Sequence, residues 1–410
     1  MTLSRLQAVL DRYGGAVLLT LLTVGLFITH VLLQAAAALF IAGGLVALAR
    51  GRSWRPTLLD GVLMAYALSG LIAFWVSGLP PARIGAAMLH HIVLLSWIPL
   101  RAWLETGRED AHGLSLDRWG NAVVVLAVVV SAAGVWRHVV EGLERTSGFF
   151  GGYFTLASLL VWSLPLTAGL YLSRSRGAGR WYVPALLLQF FALWWTLTRS
   201  AFLGWMVAVG VWLIMHLWRT RGARRPLIGL LRERWAVVIL MPLLLVILVA
   251  GSRDPRINPL RNAAPAVEAP ARSVDLSSGR GEIIADAGRL LGAARDGGQW
   301  RAILLGFGLD SRNRLVESDF TSWESDYLQA LMNQGVVGLL LILALWGSLL
   351  RTVWQGLRSG DPRLMGLAAG GLALFLMSPL TLKMTSWHSA GMILLTASWI
   401  RAGLAAVGDR

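Results

Sequence analysis

Apolar windows of about 20 residues recur along almost the whole 410-residue chain, and one polar stretch, Gly251 to Trp323, breaks the series. A helical window of that length crosses the hydrocarbon core of a bilayer. The pattern therefore restricts the chain to a bundle of membrane-crossing helices. Barrel strands do not fit, because the runs are continuous rather than alternating. A chain that is 56% hydrophobic and 14% charged is also too apolar for a soluble two-domain protein. The first apolar run is followed by a second with no small-residue cleavage site, so the N-terminus is expected to stay as an anchor.

Twelve spans are predicted, near 15–33, 34–49, 57–77, 85–104, 120–139, 151–172, 181–198, 200–218, 235–251, 326–350, 363–381 and 388–407. The expected fold is an all-α integral membrane protein of about 12 transmembrane helices with one large periplasmic loop. It divides into a bundle of about nine spans over 1–250, the loop over 251–325, and about three spans over 326–410.

Charge sets the orientation. With a cytoplasmic N-terminus, the inner segments hold 22 basic residues. The short outer loops hold five, namely Arg83, Arg137, Arg145, Arg199 and Lys383, and the long loop holds the other ten. Short loops govern the positive-inside rule, so both termini are expected in the cytoplasm and 251–325 in the periplasm of a Gram-negative inner membrane. Thirteen of the 22 carboxylates fall on the outer side. The net charge of +15 is then mostly a topology signal rather than a nucleic-acid patch. Arginine supplies 36 of the 37 Lys and Arg residues, a bias that points to a GC-rich genome. The absence of cysteine removes disulfides, thiolate metal sites and Cys nucleophiles together.

Outer basic residues run against that bias and need a reason. Arg199 sits in Thr196-Leu197-Thr198-Arg199-Ser200 at a turn between two apolar spans, where a charge at membrane depth usually faces a cavity or partner. In the long loop a proline-rich start, Asp254-Pro255 to Ala269-Pro270, gives way to an amphipathic helix predicted over 279–295, with Ser277-Ser278 as its cap. Arg280 opens that helix, where the dipole disfavours a cation unless an anion is there as well. Free backbone N–H groups and a guanidinium together suit a phosphate. Trp300 to Gly308 is predicted as a short apolar strand or turn, and its lone G-x-G lacks the context of a dinucleotide site. Glu317-Ser318-Asp319 and Glu324-Ser325-Asp326 form a double acidic cluster at the loop's exit. Capping explains one of these residues, and no His-x-x-His or carboxylate-His cluster accompanies them to support a dedicated metal site.

These features occur in a recognisable order. Arg199-Ser200, Ser278-Gly279-Arg280, Leu305-Gly306-Phe307-Gly308, and then an acidic pair running into Tyr327-Leu328-Gln329 through Gly338 follow one another. In that order and spacing, over about 180–350, the chain resembles the bacterial O-antigen ligase/O-antigen polymerase superfamily of GT-C-like glycosyltransferases. The resemblance implies glycosyl transfer on the periplasmic face from an undecaprenyl-pyrophosphate-linked glycan. The acceptor would be another glycan or lipid A-core, and a chain-length regulator would be a further partner. It implies that Arg199 and Arg280 hold the pyrophosphate, with Gly210 completing an arginine–ten–glycine pattern after Arg199. Ligases of the family commonly carry a His-Asn pair just before Tyr-Leu, where this chain has Glu324-Ser325-Asp326. That departure favours a polymerase or a variant ligase.

The chemistry stands on its own. Departure of a pyrophosphate needs charge stabilisation, which bidentate arginines supply. The attacking hydroxyl must lose a proton, which a carboxylate can accept. Glu324 is the first choice for that base and Asp326 the second. Tyr327, Arg137 and Tyr153 are further candidate substrate contacts, and Lys383 and His388 bracket the last outer loop. The expected reaction is a metal-independent, cofactor-free inverting displacement. Tryptophans at span ends, Trp181, Trp300, Trp323 and Trp387, are expected to anchor at the interface. A polysaccharide transporter or flippase is the alternative from another class. The expected halves show no repeat, however, and the charges cluster in one outer loop rather than mid-span.

Overall fold

The computed structural model describes residues 3–49, 56–80, 88–106, 115–149, 152–174, 179–220, 235–251, 280–317, 322–381 and 386–408. The proline-rich loop start, the Ser277-Ser278 cap, Arg83, Asp319 and Lys383 lie outside them. Sixteen helices and no strand are found among the described residues. In chain order they begin α1 (Leu3–Ile28), α2 (His30–Ala49), α3 (Leu58–Val76), α4 (Leu89–Leu95), α5 (Trp97–Thr106) and α6 (Leu116–Val139). There follow α7 (Gly152–Ser173), α8 (Tyr182–Trp195), α9 (Arg199–Thr220), α10 (Trp235–Gly251) and α11 (Arg280–Asp296). The last are α12 (Trp300–Leu305), α13 (Ser311–Leu315), α14 (Asp326–Arg358), α15 (Pro362–Met377) and α16 (Trp387–Gly408).

Six of these, α2, α3, α6, α7, α9 and α14, are long and apolar enough to cross a membrane. Shorter apolar helices occupy other predicted spans: Gly14–Ile28 within α1, α8, Pro242–Gly251 within α10, and α15. Among the described residues, length and apolarity thus single out six of the twelve expected spans. Boundaries also moved. The first turn falls at Thr29, whose carbonyl accepts from Leu33 N at 3.4 Å and whose Oγ1 accepts from Val31 N at 3.3 Å. The span expected over 85–104 is broken between α4 and α5 at Ser96. Pro99 explains the break, since without an N–H it cannot continue the ladder back to Leu95.

The bundle closes around α7, whose residues 156–170 are buried on every side. A helix apolar all round belongs inside. Its closest partner is α15, and the contact is backbone on backbone. A Cβ on Gly366 would lie 2.3 Å from Pro165 O, and one on Gly370 would lie 2.5 Å from Trp162 O. Small residues four apart let helices approach this closely where lipid gives no hydrophobic drive to associate. Trp162 donates to Thr396 Oγ1 at 2.8 Å and so ties α16 to the same core. Trp119 stacks on Trp399 with centroids 5.2 Å apart.

Candidate functional site

The site lies at one end of the bundle and is built on a broken helix. α14 kinks at Gly335, which has φ 68° and ψ −163°. The kink frees carbonyls that the Leu-Gly-Phe-Gly segment then satisfies: Phe307 N donates to Met332 O at 2.9 Å and Gly308 N to Asn333 O at 3.2 Å. Only glycines fit here. A Cβ on Gly306 would lie 2.4 Å from the Asn333 carbonyl carbon, and one on Gly335 would lie 2.3 Å from Leu304 O. Trp300–Leu305, expected as a strand or turn, is helix α12, and Gly306 with φ 83° ends it. Its apolar run is too short to separate the two periods from sequence alone.

Buried polar contacts fix α11–α13 on this kink. Asn333 Oδ1 accepts from Ser311 Oγ at 2.7 Å, and Trp323 Nε1 donates to Ser311 Oγ at 2.9 Å. Arg312 pairs with Asp286 at 3.1 Å, both side chains at most 3% exposed, and its guanidinium stands 4.9 Å from the Trp323 ring. Trp323, expected as an interfacial anchor, is therefore buried, whereas Trp300 and Trp181 are exposed. Helix α11 begins at Arg280, close to expectation, and packs Ile283 and Ala287 against Trp323 and Met332. On the other flank Leu309 N reaches Ala73 O at 3.3 Å and Arg314 Nη1 reaches Ser77 O at 2.7 Å, both at the end of α3.

Glu324 sits just beyond this anchored segment with φ 54°, in the left-handed region. For a residue other than glycine that costs on the order of 1–3 kcal/mol, and it persists only where the surroundings impose it. Its Oε1 accepts from Ser322 Oγ at 2.9 Å. It lines a cleft of about 180 Å³ with Phe154, Thr155, Ser158, Thr381, Ser386 and Ser389. Asp326, two residues on, is fully buried and is not among the lining residues. Its N–H donates to Ser378 O at 3.2 Å, and the Tyr327 hydroxyl stands 3.0 Å from Ser378 Oγ, so both tie α14 to the end of α15. The sequence alone ranked the two carboxylates by preference, and the fold gives them different surroundings.

Cations flank the cleft. Arg280 Nε donates to Leu380 O at 3.0 Å, one residue from the lining Thr381. Arg145 lies on the α7 side. Its guanidinium is 3.3 Å above the Tyr153 ring centroid and 5.8 Å from that of Phe154. The same group donates to Thr196 O at 3.1 Å and Leu197 O at 3.3 Å, closing the end of α8. Leu197 has φ 52°, and Arg199 follows as the first residue of α9. Arg145 therefore shapes the turn that presents Arg199, a role not assigned from the sequence. Its place among the five outer cations was the available signal. Arg137 donates to Ser147 Oγ at 3.1 Å and to Gly148 O, and holds its own loop. Glu317 is exposed at the far end of α13. His388 is buried at the start of α16, between the lining residues Ser386 and Ser389.

Residues 184–343 match the family model described as O-Antigen ligase. Over that segment the chain is similar to the O-antigen ligase/polymerase superfamily. The match runs from α8 to the middle of α14, so it contains Arg199, Arg280, Glu324, Asp326 and Tyr327 and excludes Arg137 and Arg145. The match supports a glycosyl-transfer function of the O-antigen ligase/polymerase type, and with the apolar helices it supports a multi-pass membrane protein. No curated protein sequence matches the chain.

Proposed function

We propose that this O-antigen ligase/polymerase superfamily protein extends a lipid-linked polysaccharide on the periplasmic face of the inner membrane. The observation that carries the reading is Glu324, held in a strained conformation inside a hydroxyl-lined cleft flanked by Arg280 and Arg145. The donor is a glycan on undecaprenyl pyrophosphate. Glu324 takes the proton from an acceptor hydroxyl as that oxygen bonds to C1 of the donor sugar. The C1–O bond breaks in the same step, with inversion, and the electron pair leaves with the lipid pyrophosphate. Arg280 and Arg199 stabilise that charge, Arg145 sets the turn before Arg199, and Asp326 and Tyr327 position the start of α14. About twelve spans in a GT-C-like bundle (1–250 and 326–410), with 251–325 outside, put the cleft at the outer surface and both termini in the cytoplasm. A chain-length regulator is the expected protein partner.

A ligase reading, with lipid A-core as acceptor, fits the family match equally. A deletion strain examined by lipopolysaccharide gel separates the two. Core carrying a single repeat identifies the polymerase, and core alone with long lipid-linked polymer identifies the ligase. Glu324→Gln, Arg199→Ala and Arg280→Ala, each checked for expression, test the site. Full glycan product from all three overturns the assignment.

A further inference from the structure

The described lining of the Glu324 cleft has a composition of its own. Five of its seven residues carry hydroxyls: Thr155, Ser158, Thr381, Ser386 and Ser389. Phe154 supplies one aromatic ring and Glu324 the only charge, and no cation lines the cleft among the described residues. Two of the hydroxyls already donate to the backbone, Ser158 to Phe154 O at 2.8 Å and Thr381 to Met377 O at 3.0 Å. The cations stand outside this lining, Arg280 on Leu380 O and Arg145 beyond Phe154. A lining that carries the Glu324 carboxylate repels an anion such as pyrophosphate. It suits an uncharged polyhydroxylated ring, whose hydroxyls pair with Ser and Thr and whose apolar face lies on the phenyl ring. The volume of about 180 Å³ is below the roughly 300–1,000 Å³ of pockets for drug-sized ligands, so it accommodates one ring rather than several.

We infer that the cleft is the subsite for a single neutral pyranose, the acceptor residue whose hydroxyl faces Glu324, with Phe154 as its stacking platform and Ser386 and Ser389 as specificity-determining hydroxyls. The inference rests on the proposed glycosyl transfer for its meaning, but its test does not need turnover. Saturation-transfer NMR on the full-length detergent-solubilised protein, with glucose, galactose, mannose and N-acetylglucosamine as separate probes, reads occupancy directly. The expected result is transfer to at least one of these sugars. Phe154→Ala and Ser386→Ala/Ser389→Ala should lose it, Phe154→Tyr should keep it, and inorganic pyrophosphate should not compete. Each variant is checked by size-exclusion profile and melting temperature against the parent. No transfer to any of the four sugars overturns the inference, as does transfer that survives all these variants or is displaced by pyrophosphate. If the sugar subsite fails while Glu324→Gln still abolishes glycan product, the proposed function stands without it. If the subsite is found but the Glu324, Arg199 and Arg280 variants all retain product, the functional assignment fails and the subsite remains.

Discussion

Two carboxylates show two uses of charge in the bundle, Asp60 near the start of α3 and Glu324 just before α14. Asp60 is closed on all sides: it accepts from Thr57 N at 2.7 Å, Trp97 Nε1 at 3.2 Å and Arg101 Nη2 at 2.7 Å. Arg101 also pairs with Glu105, which reaches Arg401 on α16 at 2.8 Å. Glu324 instead is half-buried, accepts from Ser322, has φ 54° and faces a cleft. The first arrangement joins helices. In the second, a half-buried carboxylate lines an open cleft. A charge in a membrane bundle is therefore informative through what surrounds it, not through its depth alone.

The sharpest way to break this contrast is to neutralise each side. Glu324→Gln should lower the rate of glycan transfer by about 10²–10⁴-fold, the usual contribution of a general base, with the melting temperature unchanged. If the rate held, Glu324 would be no more than another structural carboxylate. Arg101→Ala should do the reverse. Removing one partner of a buried pair costs about 3–5 kcal/mol, so the melting temperature in detergent should fall while surviving protein keeps its rate. Gly370→Val, which forces a side chain onto Trp162 O, should cost about 1–3 kcal/mol through overpacking. The smallest effect belongs to Glu324→Gly. Release of the left-handed strain should stabilise the fold by about 1 kcal/mol even as activity is lost, a trade that Asp60→Gly would not show.

Much of this was legible from the chain. Apolar windows gave the helical membrane class, and the order of Arg199, Arg280, Leu-Gly-Phe-Gly and the acidic pair picked out the region that the family model matches over 184–343. What stayed hidden was three-dimensional. Period cannot distinguish a six-residue helix from a strand, so α12 was missed. The burial of Trp323 depends on Ser311 and Arg312, which fold back onto it from about a dozen residues upstream. Arg145 shows no motif, because its partners are backbone carbonyls 51 and 52 residues away. Serines and threonines scattered over α7, the end of α15 and the start of α16 have no pattern until the fold gathers them.

The glycine crossing of α7 and α15 bears on substrate size. Thr155 and Ser158 stand on α7 one to two turns above Trp162, about 10 Å at most by helical rise, and Thr381 lies just past the end of α15. Two walls of the cleft are thus the upper arms of a pair of scissors whose pivot is the Trp162–Gly370 contact. The gauge of the opening is set from below, by residues that are not part of its described lining. Homologues that differ at the pivot should accept rings of different girth without any change in the lining itself.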